Sequence, residues 1–188
     1  MTKLLPFCLV IGLVTAGGCA PEQGSAPEST DADQTPAPTE ASAEPTVDEQ
    51  IQTLDEMCAD ASEAMTLRQE AQSLYDRAGG RDAISQVVVE TVRLHLENDK
   101  IKHLFEGVDG EQLIQQVTDF LVVATGGEGE YTGRDMAAAH AELNLTNDDF
   151  LAAGGDLNQA MQTSGWGEDE SQELLCAFVG LRADVVTQ

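Results

Sequence analysis

The sequence predicts an all-α protein, and three observations carry that prediction. All six prolines among the 188 residues lie at or before Pro45, so the 143 residues that follow can form uninterrupted helices. Apolar residues in this stretch recur three or four positions apart, which is the period of a helix with one buried face. A strand-like run, residues 87–89, has no second strand candidate to pair with.

Residues 1–18 have the order of a secretory signal. Lys3 supplies a positive charge, and an apolar run over residues 4–16 follows that is too short for a permanent membrane span. The run ends in Ala16-Gly17-Gly18-Cys19, which resembles the lipobox of bacterial lipoproteins, where the cysteine is acylated. We therefore expect a lipid anchor on Cys19, with ordinary signal cleavage beside an incidental cysteine as the alternative.

The composition of the segment that follows Cys19 predicts a flexible tether. Residues 20–46 are rich in Pro, Ala, Ser, Thr and acidic residues and contain no aromatic residue, no Lys and no large aliphatic. Such a composition cannot bury enough apolar surface to fold alone. Ala20 stands where lipoproteins retained at the inner membrane tend to carry Asp, so the resemblance implies the outer membrane, facing the periplasm. Residues 19–46 are thus interpreted as lipidated Cys19 and a disordered acidic tether.

An amphipathic helix is expected over residues 47–72. Its apolar positions are three or four apart: Ile51, Leu54, Cys58, Ala61 and Met65. The segment is either a helix packed on the following domain or a frayed continuation of the tether. In an oxidising compartment Cys58 and Cys176 form a disulfide or remain two buried thiols, and the sequence leaves both readings open.

Residues 73–188 are expected to form one helical domain. A helix over residues 82–97 follows Gly79-Gly80, and a second stops at Gly126-Gly127. The inward positions of the first are Ile84, Val87, Val88, Thr91, Val92, His95 and Leu96, and those of the second are Leu113, Val117, Phe120, Leu121 and Ala124.

The rest of the domain is divided by its capping signals. Thr132 and Thr146 each have an Asp three residues later, the spacing of a capping box. These signals predict a short turn of helix over residues 136–141 and a longer helix with Phe150, Ala153, Leu157, Ala160 and Met161 inward. A last helix is expected after residues 165–167, carrying Leu174 through Val185.

Charge and cysteine spacing exclude several classes of function. The chain has 9 Lys and Arg against 34 Asp and Glu, a net charge of -25. This balance argues against nucleic acid as a partner, because that affinity rests on cations that neutralise phosphates. No Cys-x-x-Cys spacing supports a zinc or thioredoxin-type site. Of the three histidines, His95 and His103 are interpreted as surface or boundary residues, whereas His140 lies on a short helix beside a Gly-rich loop.

Seven motifs in order resemble the truncated haemoglobins of group 1, over essentially all of residues 73–186. They are Ser73-Leu-Tyr-Asp-Arg-Ala-Gly-Gly80, Ala83-Ile84, Ile101-Lys-His-Leu-Phe105, Ala124-Thr-Gly-Gly127, Tyr131-Thr-Gly-Arg-Asp-Met136, Ala139-His140-Ala141 and Leu145-Thr146. The resemblance implies a two-over-two helical sandwich that encloses haem b.

The resemblance also assigns roles to individual residues. His140 matches the proximal histidine that binds iron, and Phe105 matches the aromatic residue that packs on the porphyrin face. Positions along the wall of the haem pocket are matched by Tyr131, Met136, Leu143, Leu145 and Phe150, with Leu113 and Val117 on the distal side.

On the distal side the sequence departs from the family pattern. Val92 stands at the usual Tyr position, and Leu113 and Val117 stand at the usual Gln positions, so all three are apolar. Gln116 is the polar side chain able to swing toward a ligand, with Thr91 as a poorer second. Bound O2 carries partial negative charge and gains about 1 kcal/mol from a hydrogen-bond donor. We therefore expect weaker O2 stabilisation and faster dissociation or autoxidation than in relatives with Tyr and Gln.

The leading functional hypothesis is a lipid-anchored haemoglobin that binds O2, NO or CO, in O2/NO chemistry or redox sensing. An NO dioxygenase activity would need an electron donor that the sequence does not identify. Two alternatives stay open: an envelope interaction lipoprotein whose globin scaffold has lost useful gas binding, and a helical adaptor without haem.

Overall fold

A computed structural model describes residues 44–188 of the chain. The expected export signal, the lipidated Cys19 and nearly all of the tether lie outside the described residues. Within residues 44–188, no helix combines the length and the apolar character needed to cross a bilayer.

The described part of the chain is helical, as the sequence predicts. The helices are α1 (Val47–Ala71), α2 (Leu74–Ala78), α3 (Gly80–Glu97), α4 (Gly110–Ala124), α5 (Met136–His140), α6 (Asn147–Thr163), α7 (Glu168–Gly180) and α8 (Arg182–Val185), with a 3-10 helix at Lys102–Phe105. Over residues 44–188 no strand forms, and a single bridge pairs Leu145 with Val186. The all-α prediction is confirmed.

Of the two capping boxes that the sequence predicts, one forms. Thr146 opens α6 in a capping box with Asp149, as expected, and Thr46 opens α1 in another with Glu49. The capping box predicted for Thr132 is wrong. Asp135 caps α5 instead, because its carboxylate accepts the Ala138 N–H at 2.7 Å directly beside the first helical residue.

The last predicted helix is divided into two. At Leu181 the backbone N–H donates to the Phe178 carbonyl at 2.9 Å, a bond three residues back that tightens the turn. The helix α7 ends at Gly180, and the short α8 carries Val185 into a buried position. The sequence pattern continues across this point, since Val185 keeps the helical spacing from Leu181.

Four helices make the two layers of the fold. The helix α3 packs against α4 and α6, and α6 packs against α7. Val87, Leu157, Met161 and Leu174 share one buried cluster at the crossing of α3, α6 and α7. The pairs α3 with α4 and α6 with α7 give the two-over-two arrangement that the sequence predicts.

The helix α1 is fixed to this sandwich by a disulfide. Cys58 of α1 and Cys176 of α7 are bonded, with Cα atoms 5.4 Å apart. The five expected inward positions of α1, from Ile51 to Met65, are all buried or half-buried. Of the two readings for residues 47–72, the structure therefore shows the packed helix, and for the cysteines it shows the bonded pair.

A buried ionic cluster reinforces the same contact. Glu173 of α7 is 2% exposed and accepts hydrogen bonds from Gln69 at 2.8 Å and from Arg77. Arg77 also pairs with Glu170 at 2.8 Å, and Arg68 pairs with Asp169 at 3.1 Å. Since a buried carboxylate is stable only with such partners, Glu173 ties α1 and α2 to α7.

Candidate functional site: an apolar cavity with one proximal imidazole

A cavity of about 870 Å³ lies between the helix layers, within the range of cofactor pockets. The structure brings together around it every residue to which the sequence gives a haem or distal-pocket role. These are Val92, Phe105, Leu113, Gln116, Val117, Tyr131, Met136, His140, Leu143, Leu145 and Phe150. Residues from five helical segments and from the loops before and after α5 thus converge on one space.

The proximal side is built on the five residues of α5. His140 is the last of them, is half-buried and lines the cavity. Its Nδ1 lies 2.8 Å from the carbonyl oxygen of Met136, one turn earlier. A carbonyl can only accept, so Nδ1 carries a proton and Nε2 is the ring nitrogen left available to bind a metal. This is the tautomer and orientation that a metal-binding imidazole needs.

Behind α5, the proximal wall is closed by residues distant in sequence. Ile51, Leu145, Phe150 and Val185 form one buried cluster that joins α1, the loop before α6, α6 and α8. The chain end is fixed there too, because the Thr187 N–H donates to the Leu145 carbonyl at 3.0 Å. The position of His140 therefore depends on contacts made by both ends of the described chain.

The distal side is apolar where the sequence places the ligand-facing residues. Val92 is 5% exposed and shares a buried cluster with Val88 and Val122, against which Leu113 and Val117 pack. The Thr91 hydroxyl donates to the Val87 carbonyl at 2.8 Å, so its proton is engaged within α3. Gln116 lines the cavity from an exposed position.

His95 is the functional candidate that sequence reasoning missed. The sequence interprets it as a surface or boundary residue without a functional role, and its side chain, 14% exposed at such a boundary, lines the cavity. Its Nδ1 lies 2.8 Å from Oδ2 of Asp156, and its ring stacks on Phe105 with centroids 5.4 Å apart. Burial lowers the pKa of His95, although hydrogen bonding and charge from Asp156 act the other way.

At the C-terminal end of α3, the buried face of the helix continues through His95. Leu96, which the sequence also places inward, is 50% exposed. From Val92 the buried face takes the three-residue step to His95 and not the four-residue step to Leu96, because Asp156 of α6 lies there as a partner. The available signal was the place of His95 on the apolar face of its own helix.

The loop before α5 folds around Tyr131. The Tyr131 hydroxyl donates to the Arg134 carbonyl at 2.9 Å, and Phe120 packs edge-on against the ring at 5.4 Å. A Cβ on Gly133 would lie 2.3 Å from the Tyr131 ring, so a side chain at this position would require the ring to move. Arg134 is exposed, also lines the cavity, and places a cation at its edge.

The residues around the cavity fit a metal ion whose other ligands come from a flat, largely apolar cofactor. One imidazole offers a lone pair on one side, and aromatic and aliphatic side chains line the remainder. An iron porphyrin has this requirement: one axial protein ligand, apolar contacts for its faces and a cation for its carboxylates.

Comparison with known proteins gives the same class. The family described as bacterial-like globin matches residues 73–187. A group 1 truncated haemoglobin of Synechocystis sp. is 35% identical over 123 residues, which is 62% of this chain and 98% of the relative. One from Tetrahymena pyriformis is 35% identical over 81 residues, 43% of this chain and 67% of the relative.

Solved structures agree with this result. The Fe(III) form of the Tetrahymena pyriformis truncated haemoglobin has a TM-score of 0.58 at 29% identity, covering 62% of this chain and 100% of that one. The 2/2 haemoglobin of Synechococcus sp., with covalently attached haem, has a TM-score of 0.57 at 28% identity, covering 62% and 99%. The fold and its cavity are those of a small globin. The chain belongs to the bacterial-like globin family, as a group 1 truncated haemoglobin.

Proposed function

We propose that this chain binds haem b through His140 and binds a diatomic gas, O2, NO or CO, at the haem iron. The observation that carries the proposal is the hydrogen bond from His140 Nδ1 to the Met136 carbonyl, which leaves Nε2 as the ligand atom on the cavity. The haem iron supplies reversible gas binding and one-electron chemistry when it is bound. Every other contribution comes from the side chains around it.

The chain's own residues hold and enclose the cofactor. Met136, Leu145 and Phe150 form the apolar proximal wall, and Phe105 offers an aromatic face on the distal side. Arg134 at the cavity edge is the cation placed to meet the haem carboxylates. With haem bound, these apolar contacts would cover the porphyrin faces and limit the access of water to the iron.

The apolar distal wall sets the preference among gases. Val92, Leu113 and Val117 offer no donor to a bound ligand. O2 carries partial negative charge when bound and loses the stabilisation that a donor supplies, whereas CO and NO lose little. The protein therefore binds CO and NO with less penalty than O2, and Gln116 is the side chain that can reduce the difference.

The test is absorption spectroscopy on the full chain after addition of haem. Wild-type protein is expected to show an intense Soret band, and His140→Ala to lose it because the axial ligand is gone. His103→Ala is the matched control, since His103 is exposed on the 3-10 helix and keeps the band. A colourless wild-type protein would overturn the proposal and favour a helical adaptor.

A second measurement separates gas binding from haem binding alone. The reduced protein is expected to shift its Soret band on exposure to CO. A haem-loaded protein that leaves CO unbound would support the alternative of an interaction lipoprotein on a globin scaffold. NO consumption by the reduced protein in air, with an added reductant, tests the dioxygenase hypothesis and the need for an electron donor.

We also propose that residues 1–18 are a cleaved lipoprotein signal and that Cys19 anchors the globin to the outer membrane, facing the periplasm. Support comes from the lipobox-like order Ala16-Gly17-Gly18-Cys19 and from the Cys58–Cys176 disulfide, since disulfides persist in oxidising compartments. Labelled palmitate added to an expressing bacterium should enter the wild type and a Cys8→Ser variant but not Cys19→Ser. Equal labelling of all three, or labelling of none, would contradict the anchor.

A further inference from the structure

A buried carboxylate lies between α3 and α6, beside the cavity. Asp156 of α6 is 9% exposed and accepts three hydrogen bonds from the end of α3. His95 Nδ1 lies 2.8 Å from Oδ2, and Asn98 Nδ2 lies 3.0 Å from each carboxylate oxygen. The donors are an imidazole and an amide, and neither is a Lys or an Arg. They satisfy the buried carboxylate of Asp156, and the carboxylate in turn holds both side chains in place.

One of these donors controls the backbone that leads to Phe105. Asn98 caps the C-terminus of α3, and its carbonyl accepts the N–H groups of Ile101 at 3.1 Å and Lys102 at 2.8 Å. Its side-chain oxygen accepts the Lys100 N–H at 3.1 Å. These bonds shape the turn that opens the 3-10 helix, and Phe105 is the last residue of that helix.

The other donor holds the ring of Phe105. The imidazole of His95 stacks on the phenyl ring with centroids 5.4 Å apart and planes at 26°. Burial lowers the pKa of His95, so the neutral ring predominates at pH 7 and its Nδ1–H donates to Asp156. With Nδ1 engaged, the ring cannot rotate without breaking a buried hydrogen bond, and the stacked position of Phe105 is held with it.

Both rings line the cavity, but Phe105 alone is the residue that matches the contact with the porphyrin face. We propose that His95, Asp156 and Asn98 form a positioning triad that fixes Phe105 against the cofactor. The inference rests on the proposed haem function, because it concerns how neighbouring side chains hold Phe105, the residue that matches the porphyrin contact. In this proposal the His95 imidazole positions Phe105, and the role does not depend on contact with a bound gas.

The triad makes a specific prediction about how the cofactor is seated. A rigid phenyl ring distinguishes the two faces of an asymmetric porphyrin, and a mobile ring does so poorly. Loss of the triad should therefore raise the fraction of haem bound in the minor orientation and change the stretching frequency of bound CO. A merely structural role for Asp156 would lower stability and leave both signatures unchanged.

Three substitutions at one position separate the hydrogen bond from the stack. His95→Gln keeps a donor for Asp156 without a ring, His95→Phe keeps a ring without a donor, and His95→Leu keeps neither. Proton NMR of the haem-loaded protein is expected to show the minor haem orientation raised several-fold in His95→Leu and less in the other two. His103→Leu, which removes an exposed imidazole from the 3-10 helix that carries Phe105, is the matched control and should behave as wild type.

A double-mutant cycle provides a readout that does not need the cofactor. His95→Leu and Phe105→Ala, singly and together, are compared by urea unfolding of the full chain, and the two losses of stability are expected to be non-additive. Additive losses, or a wild-type haem orientation in folded His95→Leu, would overturn the triad. A wild-type chain that takes up no haem but shows the coupling would leave the triad's contacts standing and refute the proposed function instead.

Discussion

The two walls of the cavity are built in different ways. The distal wall rests on the long helices α3 and α4, which bury Val88, Val92 and Val122 against each other. The proximal wall rests on the five residues of α5, between two loops. Its apolar backing includes Ile51 from α1 and Val185 from α8, far away in sequence.

The difference shows where the position of His140, the proposed iron ligand, is decided. A helix of five residues has no stability of its own in water, because nucleation is costly and few bonds follow it. The geometry of His140 therefore depends on tertiary contacts, and one of them comes from α1, which precedes the matched globin region of residues 73–187. We expect changes at α1 to disturb the proximal side and changes at α3 to act on the ligand side alone.

The largest expected effect comes from removing the disulfide. The double substitution of Cys58 and Cys176 by Ser opens a covalent loop whose ends are 118 residues apart. The free energy of unfolding should fall by about 2–5 kcal/mol, because the unfolded chain gains conformational freedom. Urea unfolding of wild type with and without dithiothreitol measures the same loss independently.

The double Ser variant is the control for that measurement, since dithiothreitol has no disulfide to reduce in it. It should also release haem faster than wild type, because α1 is then held to the proximal wall by non-covalent contacts alone. Equal urea midpoints for oxidised and reduced wild type would show that the bond adds nothing to the folded state.

The next effect is the loss of a single contact from α1 to the proximal wall. Ile51→Ala removes a side chain that is 7% exposed and packs with Leu145, Phe150 and Val185. The expected cost is about 2–3 kcal/mol, the lower part of the range for large-to-small changes in a core. Leu67→Ala, at a position 61% exposed on the same helix, should stay within about 0.5 kcal/mol of wild type. If both variants unfolded alike, Ile51 would not be part of the wall.

On the distal side, a donor can be added without touching α1. Val92→Tyr extends from a cavity-lining position and places a hydroxyl in the apolar pocket. One hydrogen bond of about 1 kcal/mol slows O2 dissociation by about five-fold. Stopped-flow mixing of the ferrous protein measures the rate, and Val92→Phe supplies the same ring without the hydroxyl. A wild-type O2 lifetime already as long as that of the Tyr variant would refute the apolar-pocket argument.

The smallest expected effect is a pH dependence of stability that belongs to His95. Its pKa in the folded protein is lowered by burial, below the ordinary value of about 6.5 in the unfolded chain. Below that pH the unfolded chain binds a proton more readily than the folded one, so stability falls as the pH drops toward the folded pKa. Above it both states are neutral and the contribution is constant.

Urea midpoints measured between pH 7 and pH 5 test this sign. His95→Phe should flatten the profile in that window, while His103→Ala should leave it as in wild type. A wild-type profile that rises as the pH falls would mean that Asp156 outweighs burial and raises the pKa of His95.

Local patterns were enough to predict most of the helices. The three-and-four spacing of Leu157, Ala160 and Met161 marks a buried face, and Thr146 with Asp149 marks a helix start, because both depend on residues within one or two turns. His140 could be singled out because the surrounding motifs resemble a known family. The same local reasoning placed a cap at Thr132, where Asp135 offered a better acceptor beside the helix.

The sequence by itself determined an all-α chain, the order of its helices and a histidine on a short segment after a Gly-rich loop. Tertiary structure alone decided that His95 meets Asp156, that Cys58 bonds with Cys176 and that Ile51 closes the wall behind His140. The reason is physical: helical period and caps arise from neighbouring residues, whereas these contacts depend on how separate helices cross. A side chain such as His95 is buried or exposed according to its partner on the facing helix, and its own sequence neighbours do not reveal that partner.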